Sequence, residues 1–338
     1  MSAPDHEAAL AATARRLAER PGDIAALLER AEVLLALGEE RDAARHFMGA
    51  VRAAGPRAAW PAQHGAALVR AERMAQALAR RFGDALTARL AETGALAASP
   101  RFAEAIDLLL GRVPVQLSQP SQFLFPGLAA IAFHDRAAFP WLAVLEAAAP
   151  AIRAELLPQV DDPAFAPYVE ADAVKPGAGG ALVGDAAWSA LYLVRDGAPT
   201  AQAARFPATM AALAALPLCD VPGRTPNVLF SRLAPGARIP AHHGFVNTRL
   251  IVHLGLVVPP ECWLRVGNHR RSWREGEAWV FDDTIEHEAW NGSGTSRIIL
   301  LFDIWRPELS EAERAALRTM FAAIDMLSGR ARARSWGG

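Results

Sequence analysis

The chain has 338 residues, of which 52% are hydrophobic and 21% charged, and its formal net charge at pH 7 is −1. This composition excludes an intrinsically disordered chain, and the balanced charge provides no general attraction to nucleic acid or to an acidic membrane surface. The length favours two domains over one.

Cysteine content and apolar runs narrow the class of protein further. Cys219 and Cys262 are the only two cysteines, too few for a disulfide scaffold and unlike any zinc-binding pattern. The first residues, MSAPDHEAAL, contain no basic region followed by an apolar run, so we expect no signal peptide. The longest apolar runs, such as RIILLFDIW, are too short to span a bilayer. We therefore expect a cytoplasmic protein with no membrane span and no nucleic-acid partner.

Up to about residue 115, Ala, Leu, Arg and Glu recur at helical spacing. Segment 21–56 predicts two helices around a turn at Gly38, with Ala43 and Phe47 placed as in a tetratricopeptide repeat. Because a lone repeat cannot bury its apolar face, flanking helices should stack on it. These helices are predicted over 6–19, 61–82 and 84–98. We predict an α-helical, tetratricopeptide-like domain over residues 1–115; the alternative is an unrelated helical bundle.

From about residue 120, β-branched residues become common, and eight of the nine tryptophans lie at or after Trp141. Segment 139–157 predicts an amphipathic helix. Strands are predicted over 187–194, 227–233, 249–258, 262–267, 277–282 and 296–305. Turns rich in Pro, Gly, Asn and Asp separate these runs, which is typical of a sandwich or barrel, jelly rolls included. A last helix over 309–329 should begin with a capping box of Ser310 and Glu313 and stop at Gly329.

Histidines near strand ends indicate a metal site in this second half. His242 lies in RIPAHHGFVNTRLIVHLGL, and His287 lies in FDDTIEHEAW. Two imidazoles from adjacent strands can hold Fe(II), which leaves coordination positions open for oxygen and a co-substrate. Arg297, ten residues after His287, has the planar fork that matches the far carboxylate of 2-oxoglutarate. Ser231, on another apolar strand, could add a hydroxyl to the same carboxylate.

Other polar residues of this region have simpler interpretations. His243 should point away from His242 if the backbone is extended there, so we place it at the surface or behind the ligands. His253 would face inward if its leucine neighbours face outward. Asp282 and Asp283 stand before a loop, where Asp commonly bonds nearby backbone amides, and we expect a structural role for both.

Four motifs occur together between residues 230 and 310: HLGL, W-x-EGE, FDD-x-x-EHE-x-W and D-x-W-x-PEL. With FPWL at 139–142 and AWSALYLVRDG at 187–197, they make residues 120–310 resemble the aspartyl/asparaginyl β-hydroxylase family of Fe(II)- and 2-oxoglutarate-dependent oxygenases. The resemblance implies a double-stranded β-helix (jelly-roll) oxygenase domain over residues 120–330. The expected fold class is α+β, with the helical tetratricopeptide-like region first, as in vertebrate members of the family.

The resemblance also implies roles for individual residues. The iron ligands of the family correspond to His242 and His287. The residues that bind 2-oxoglutarate correspond to Ser231 and Arg297 at its distal carboxylate, with His253 and Arg249 near the co-substrate. The implied cofactors are Fe(II), 2-oxoglutarate as co-substrate, and O2.

Two positions distinguish this chain within the family. Gly244 stands where some members have an Asp ligand; the vertebrate aspartyl hydroxylases also have Gly there, and water replaces the carboxylate. Ile251 stands two residues before the His of HLGL, where the family usually has Arg. That Arg would lie near the co-substrate or the substrate carboxylate.

These features favour a hydroxylase that acts on a protein or peptide side chain resembling Asp or Asn. A hydroxylase of a small molecule or free amino acid is an alternative, as is a catalytically inactive binding or scaffold protein with an oxygenase fold. A cupin-type enzyme with another metal and no 2-oxoglutarate would require more ligands than the sequence offers.

Overall fold

A computed structural model of the chain describes residues 3–169 and 183–328. The predicted helix stop at Gly329 lies outside the described residues. The chain divides into two compact units, Met1–Pro114 and Val115–Gly338. Within the described residues, no helix is both long enough and apolar enough to cross a membrane.

The first unit is helical. Its helices are α1 (Ala3–Glu19), α2 (Ile24–Ala36), α3 (Glu40–Ala53), α4 (Gly65–Glu92) and α5 (Pro100–Leu109). The turn between α2 and α3 passes through Gly38 at φ +81°, a conformation that glycine adopts without strain. Ala31, Ala43 and Phe47 are buried where these helices meet α4. A helical first unit is as expected, whereas the likeness to a tetratricopeptide repeat stays a prediction.

One helix differs from the sequence prediction. We expected two helices, over 61–82 and 84–98, but α4 runs without a break through Gly83. A glycine inside a helix costs only about 1 kcal/mol relative to alanine, so it does not by itself end one. A Cβ atom added at Gly83 would meet the Leu110 methyl carbons at 3.5 Å, which is an ordinary van der Waals contact.

The second unit combines helices with eleven strands among the described residues. The helices are α6 (Leu142–Leu156), α7 (Pro207–Leu213) and α8 (Glu311–Leu327). The strands are β1 (Ala166–Pro167), β2 (Trp188–Arg195), β3 (Ala198–Pro199), β4 (Val228–Leu233), β5 (Arg238–His242), β6 (Arg249–Val257), β7 (Cys262–Val266), β8 (His269–Ser272), β9 (Ala278–Phe281), β10 (His287–Asn291) and β11 (Arg297–Trp305). Each of the six predicted strands is present.

The strands form two antiparallel sheets. The larger has the order β1-β2-β4-β11-β6-β9, with β3 paired to β2, and the smaller has the order β5-β10-β7-β8. From β4 onward the chain alternates repeatedly between the sheets, which is the arrangement of a jelly roll. Apolar side chains of both sheets, including Ile251 and Ile299 from the larger and Leu264 from the smaller, share one buried cluster. The sheets therefore pack face to face around a common interior.

The helices cover the opposite face of the larger sheet and one end of the unit. Leu145 and Ile152 of α6 pack in a second core with Leu254 and Leu256 of β6. The predicted capping box at the start of α8 is confirmed: the Ser310 hydroxyl accepts from the Glu313 amide, and the Glu313 carboxylate accepts from the Ser310 amide. Because Leu254 and Leu256 of β6 face this second core, the residues that alternate with them face the space between the two sheets.

Candidate active site

A cavity of about 710 Å³, which includes the part of its mouth open to solvent, lies between the two sheets. Six residues predicted from the sequence all line it: Ser231, His242, Arg249, His253, His287 and Arg297. His243 is not among the lining residues, in agreement with its expected orientation. Because Leu254 and Leu256 face the opposite core, the alternation of β6 turns His253 and Ile251 toward the cavity.

The imidazoles of His242 and His287 lie side by side. They are directly opposite each other on β5 and β10, and their ring centroids are 4.0 Å apart. His242 Nδ1 is 2.7 Å from the Pro240 carbonyl oxygen, and His287 Nδ1 is 3.1 Å from that of Ile285. A carbonyl oxygen can only accept, so each Nδ1 carries the proton and each Nε2 has a free lone pair.

Burial keeps both imidazoles neutral. It lowers the pKa of His242, and it lowers the pKa of His287 well below its usual value, with the neighbouring His242 adding to the effect. Neutral imidazole is the form that binds metal ions. Within residues 3–169 and 183–328, however, no three His, Cys, Asp or Glu side chains are grouped so that they could hold a metal.

The position beside Gly244 is filled by a carboxylate from another part of the chain. A Cβ atom added at Gly244 would overlap the carboxylate of Asp283, and the Gly244 amide donates to the Asp283 carbonyl over 2.7 Å. No side chain fits at position 244 without displacing Asp283. Burial raises the pKa of Asp283 to about 6, although the nearby Arg249 opposes this shift.

Arg249 is held by two acids. Its Nη2 is 3.0 Å from Asp283 Oδ2, and its Nε is 3.9 Å from Asp303 Oδ2. All three side chains are buried. Arg249 thus lies in the predicted cavity, but its charge is balanced by protein carboxylates.

Arg297, in contrast, has no acidic partner among the described residues. Only 1% of it is exposed, its Nε has no hydrogen-bond partner, and its Nη1 makes a long contact of 3.4 Å to the Ser231 carbonyl. The guanidinium lies over the Trp273 ring, 4.5 Å from the centroid. Burial lowers the pKa of Arg297 to about 10, so the group remains charged at neutral pH. A buried cation without an anion is unfavourable unless a ligand supplies the anion.

Two further groups line the cavity near Arg297. The Ser231 hydroxyl accepts a hydrogen bond of 3.1 Å from Trp188 Nε1, which leaves its own proton free to donate. His253 Nδ1 is buried without a partner, and burial together with the charge of Arg297 lowers its pKa well below the usual value. The site thus presents a cation and a donor toward one end and two imidazoles on the facing sheet.

Sequence comparison finds a matching family. The family described as Aspartyl/Asparaginyl beta-hydroxylase matches residues 146–307. Through these residues, the chain is similar to the aspartyl/asparaginyl β-hydroxylase family. The matched range includes every residue predicted to bind iron or 2-oxoglutarate.

Curated relatives carry hydroxylase names. An ornithine lipid ester-linked acyl 2-hydroxylase of Rhizobium tropici is 38% identical over 199 residues, 56% of this chain and 66% of that protein. The aspartyl/asparaginyl beta-hydroxylase of Mus musculus is 41% identical over 95 residues, 28% of this chain and 13% of that protein. The human aspartate beta-hydroxylase domain-containing protein 2 is 37% identical over 139 residues, 40% of this chain and 38% of that protein. All three names refer to hydroxylases or to a hydroxylase domain.

The matched segments thus span less than two thirds of each of these relatives. Among solved structures, a cupin domain of a transcriptional regulator from Enterobacter cloacae covers 24% of this chain and 82% of its own, with 14% identity and a TM-score of 0.22. A similarity at that level supports no conclusion about this chain.

Asp283 and Asp303 also line the cavity but were not predicted to do so. The two acids of FDDT divide their roles: Asp282 pairs with the buried Arg306 and accepts from the Thr284 amide, which is the expected structural role, whereas Asp283 faces the cavity. Because side chains alternate along a strand, the sequence FDD is consistent with opposite directions for Asp282 and Asp283. The position of Asp283 beside Gly244 is seen only in the folded chain.

Proposed function

We propose that this chain is an Fe(II)- and 2-oxoglutarate-dependent hydroxylase with a two-histidine iron site. The observation that carries the proposal is the pairing, in one cavity, of two neutral imidazoles with an unbalanced buried cation. His242 and His287 each have Nε2 free, and Arg297 has no carboxylate partner in the described part of the chain. Together they match a metal that accepts nitrogen ligands and a dianionic co-substrate.

The donor set fits Fe(II), which accepts imidazole nitrogen together with oxygen ligands from small molecules. His242 and His287 would hold the ion. When bound, the iron supplies the oxygen chemistry of the reaction: one atom of O2 enters the substrate as a hydroxyl, the other enters succinate, and 2-oxoglutarate loses CO2. The surrounding residues then have to bind, orient and exclude water.

Arg297 and Ser231 would bind the distal carboxylate of 2-oxoglutarate. The guanidinium fork matches a carboxylate, and Trp273 beneath it keeps the fork in place. The Ser231 proton, left free by the bond from Trp188, would be donated to the same carboxylate. His253, neutral and without a partner at Nδ1, would lie beside the co-substrate.

Asp283 would take over part of the role that an Asp at position 244 has in other members. Its carboxylate occupies the space beside Gly244, and the ion pair with Arg249 fixes its orientation. Asp283 would thereby place negative charge near the metal and orient water in the position that a ligand from residue 244 would otherwise take.

The substrate class has two precedents among the relatives. The mouse and human names refer to aspartyl and asparaginyl residues, and the Rhizobium tropici name refers to an ester-linked acyl group. The sequence favoured a peptide side chain. In either case the reaction replaces a C–H bond of the substrate with C–OH.

The proposal is tested by anaerobic titration of the purified chain with Fe(II), followed by an assay of succinate release from 2-oxoglutarate in air. We expect one tightly bound iron, and loss of both binding and turnover in His242→Ala and His287→Ala. His243→Ala is the matched control, because His243 adjoins His242 but does not line the cavity. Absence of iron binding by the parent would favour the inactive scaffold instead, and an equal loss in His243→Ala would contradict the assignment of His242 and His287 as the iron ligands.

A further inference from the structure

Ile251 lines the cavity at the position where the family resemblance predicts an arginine. It lies on β6, opposite Phe281 of β9 and Asp303 of β11, and only 5% of it is exposed. Its alternation with His253 directs it into the same interior as the two imidazoles. An apolar side chain therefore stands directly beside a buried acid.

Arg249 cannot provide the positive charge that an arginine at position 251 would provide. Arg249 lies one pair further along the same face of β6, where Asp283 and Asp303 hold it at 3.0 and 3.9 Å. Releasing it to bind a substrate carboxylate would leave two buried acids without a cation, which is costly. Arg297 is distant: it is six residues from Asp303 along β11, about 20 Å of extended backbone.

The charged side chains that line the cavity balance one another. The described residues that line the cavity include two arginines, Arg249 and Arg297, and two aspartates, Asp283 and Asp303. The ferrous ion and the 2-oxoglutarate dianion would add equal and opposite charges. The loaded cavity is thus balanced without a substrate, and a substrate carboxylate would leave one negative charge with no partner in a low-dielectric site.

Ile251 belongs to an apolar part of the cavity wall. Leu301 of β11 is paired with Leu229 of β4 on one side and with His253 on the other, and all three line the cavity. Ile251, Ile299 and Leu264 belong to one buried cluster, against which Leu301 packs, so aliphatic side chains from both sheets line the cavity. Such a surface is favourable for a hydrocarbon chain and provides no partner for a charged group.

We propose that the site takes a neutral aliphatic chain, such as an acyl group bound through an ester or amide, and that Ile251 is the residue that excludes a substrate carboxylate. This inference rests on the proposed function, since the charge count includes iron and 2-oxoglutarate. It selects the acyl class over the acidic side chain favoured by the sequence.

The experiment compares octanamide with octanoate, which have the same chain and nearly the same shape but differ in charge. Binding is followed by tryptophan fluorescence in the chain loaded with 2-oxoglutarate and a redox-inert divalent metal, because Arg297 is then already paired with a carboxylate. Trp188 and Trp273 line the cavity and report on its occupancy. Hydroxylation is followed in the iron-loaded chain by mass spectrometry, with an Asp-containing peptide as a third substrate. We expect the parent to prefer octanamide by about tenfold or more in both assays and to leave the peptide unmodified.

Ile251→Arg should move the preference toward octanoate by about tenfold or more, because it adds the cation that a carboxylate requires. Ile251→Leu is the matched control and should keep the preference of the parent. A parent that prefers octanoate or hydroxylates the Asp peptide would overturn the inference, as would an Ile251→Arg protein with an unchanged preference. The comparison of ligands on the parent needs no variant, so a poorly folded Ile251→Arg does not obscure the result.

The two proposals fail in different ways. If the parent binds neither a metal nor 2-oxoglutarate, the proposed function is wrong, and the inference is overturned with it because its charge count includes both. If the parent releases succinate but prefers octanoate, only the inference about substrate class is wrong.

Discussion

Arg297 combines two properties that rarely occur together in a folded chain. It is almost fully buried, and it lacks an acidic partner among the described residues. The free energy lost by burying this charge is recovered only if an anion binds. Folding stability and co-substrate affinity should therefore respond in opposite directions when the charge is removed.

Replacement of Arg297 with Met tests this expectation. We expect the KM for 2-oxoglutarate to rise by about 100-fold, because a bidentate ion pair is lost. The free energy of unfolding should rise by about 2 kcal/mol, since Met fills the same space without charge. Urea denaturation and steady-state kinetics measure the two quantities.

The matched control for Arg297 is Arg306, which is equally buried but paired with Asp282. Arg306→Met should lower the free energy of unfolding by about 4 kcal/mol, because it leaves Asp282 as an uncompensated buried charge. Similar losses in the free energy of unfolding of the two variants would show that Arg297, like Arg306, is paired with a carboxylate in the folded chain.

Gly244 and Asp283 should be energetically coupled. Gly244→Ala would push the Asp283 carboxylate out of its place, and we expect a loss of about 2 kcal/mol in the free energy of unfolding. In an Asp283→Ala background the same change should cost much less, because the overlapping atoms are gone. Urea denaturation of the four proteins of this cycle provides the test. Equal costs in the two backgrounds would contradict the assignment.

Elements differ in how well local sequence determines them. The six predicted strands are rich in β-branched and aromatic residues, and that signal is local. Strands β5 and β10 carry the two imidazoles. They include His, Arg, Glu and Asn and lack this enrichment in β-branched and aromatic residues. The histidine pair was inferred from spacing and resemblance, whereas the position of Asp283 beside Gly244 depends on pairing between segments about forty residues apart.

The start of α8 provides a test at the scale of one element. Ser310→Ala removes the capping box and should lower the free energy of unfolding by about 1 kcal/mol. Thr319→Ala, on the exposed side of the same helix, is the control and should cost less than about 0.5 kcal/mol. Chemical denaturation measures both changes, and an equal cost would mean that the cap contributes little.

At the scale of the whole molecule, the chain is built from two units with separate cores. Every residue that lines the candidate site lies between Tyr168 and Asp303, within the second unit. The resemblance to known hydroxylases could be found from sequence for this unit, because its motifs carry specific chemistry. The helical unit has only one recognisable repeat, and its role stays a prediction.

Because the site lies within one unit, a chain that begins at Val115 should bind 2-oxoglutarate with a Kd within about threefold of the full chain. Calorimetry in the presence of a redox-inert divalent metal measures this affinity. A much weaker Kd, in a truncated chain that unfolds cooperatively, would show that the helical unit contributes to the site.

The two-histidine iron site can be observed in the visible absorption spectrum of the anaerobic chain with Fe(II) and 2-oxoglutarate. A 2-oxo acid chelated to ferrous iron has a charge-transfer band that neither component shows alone. We expect this band in the parent, the same band only at higher 2-oxoglutarate concentration in Arg297→Met, and no band in His287→Ala. A parent without the band, or a His287→Ala protein that retains it, would contradict the two-histidine iron site.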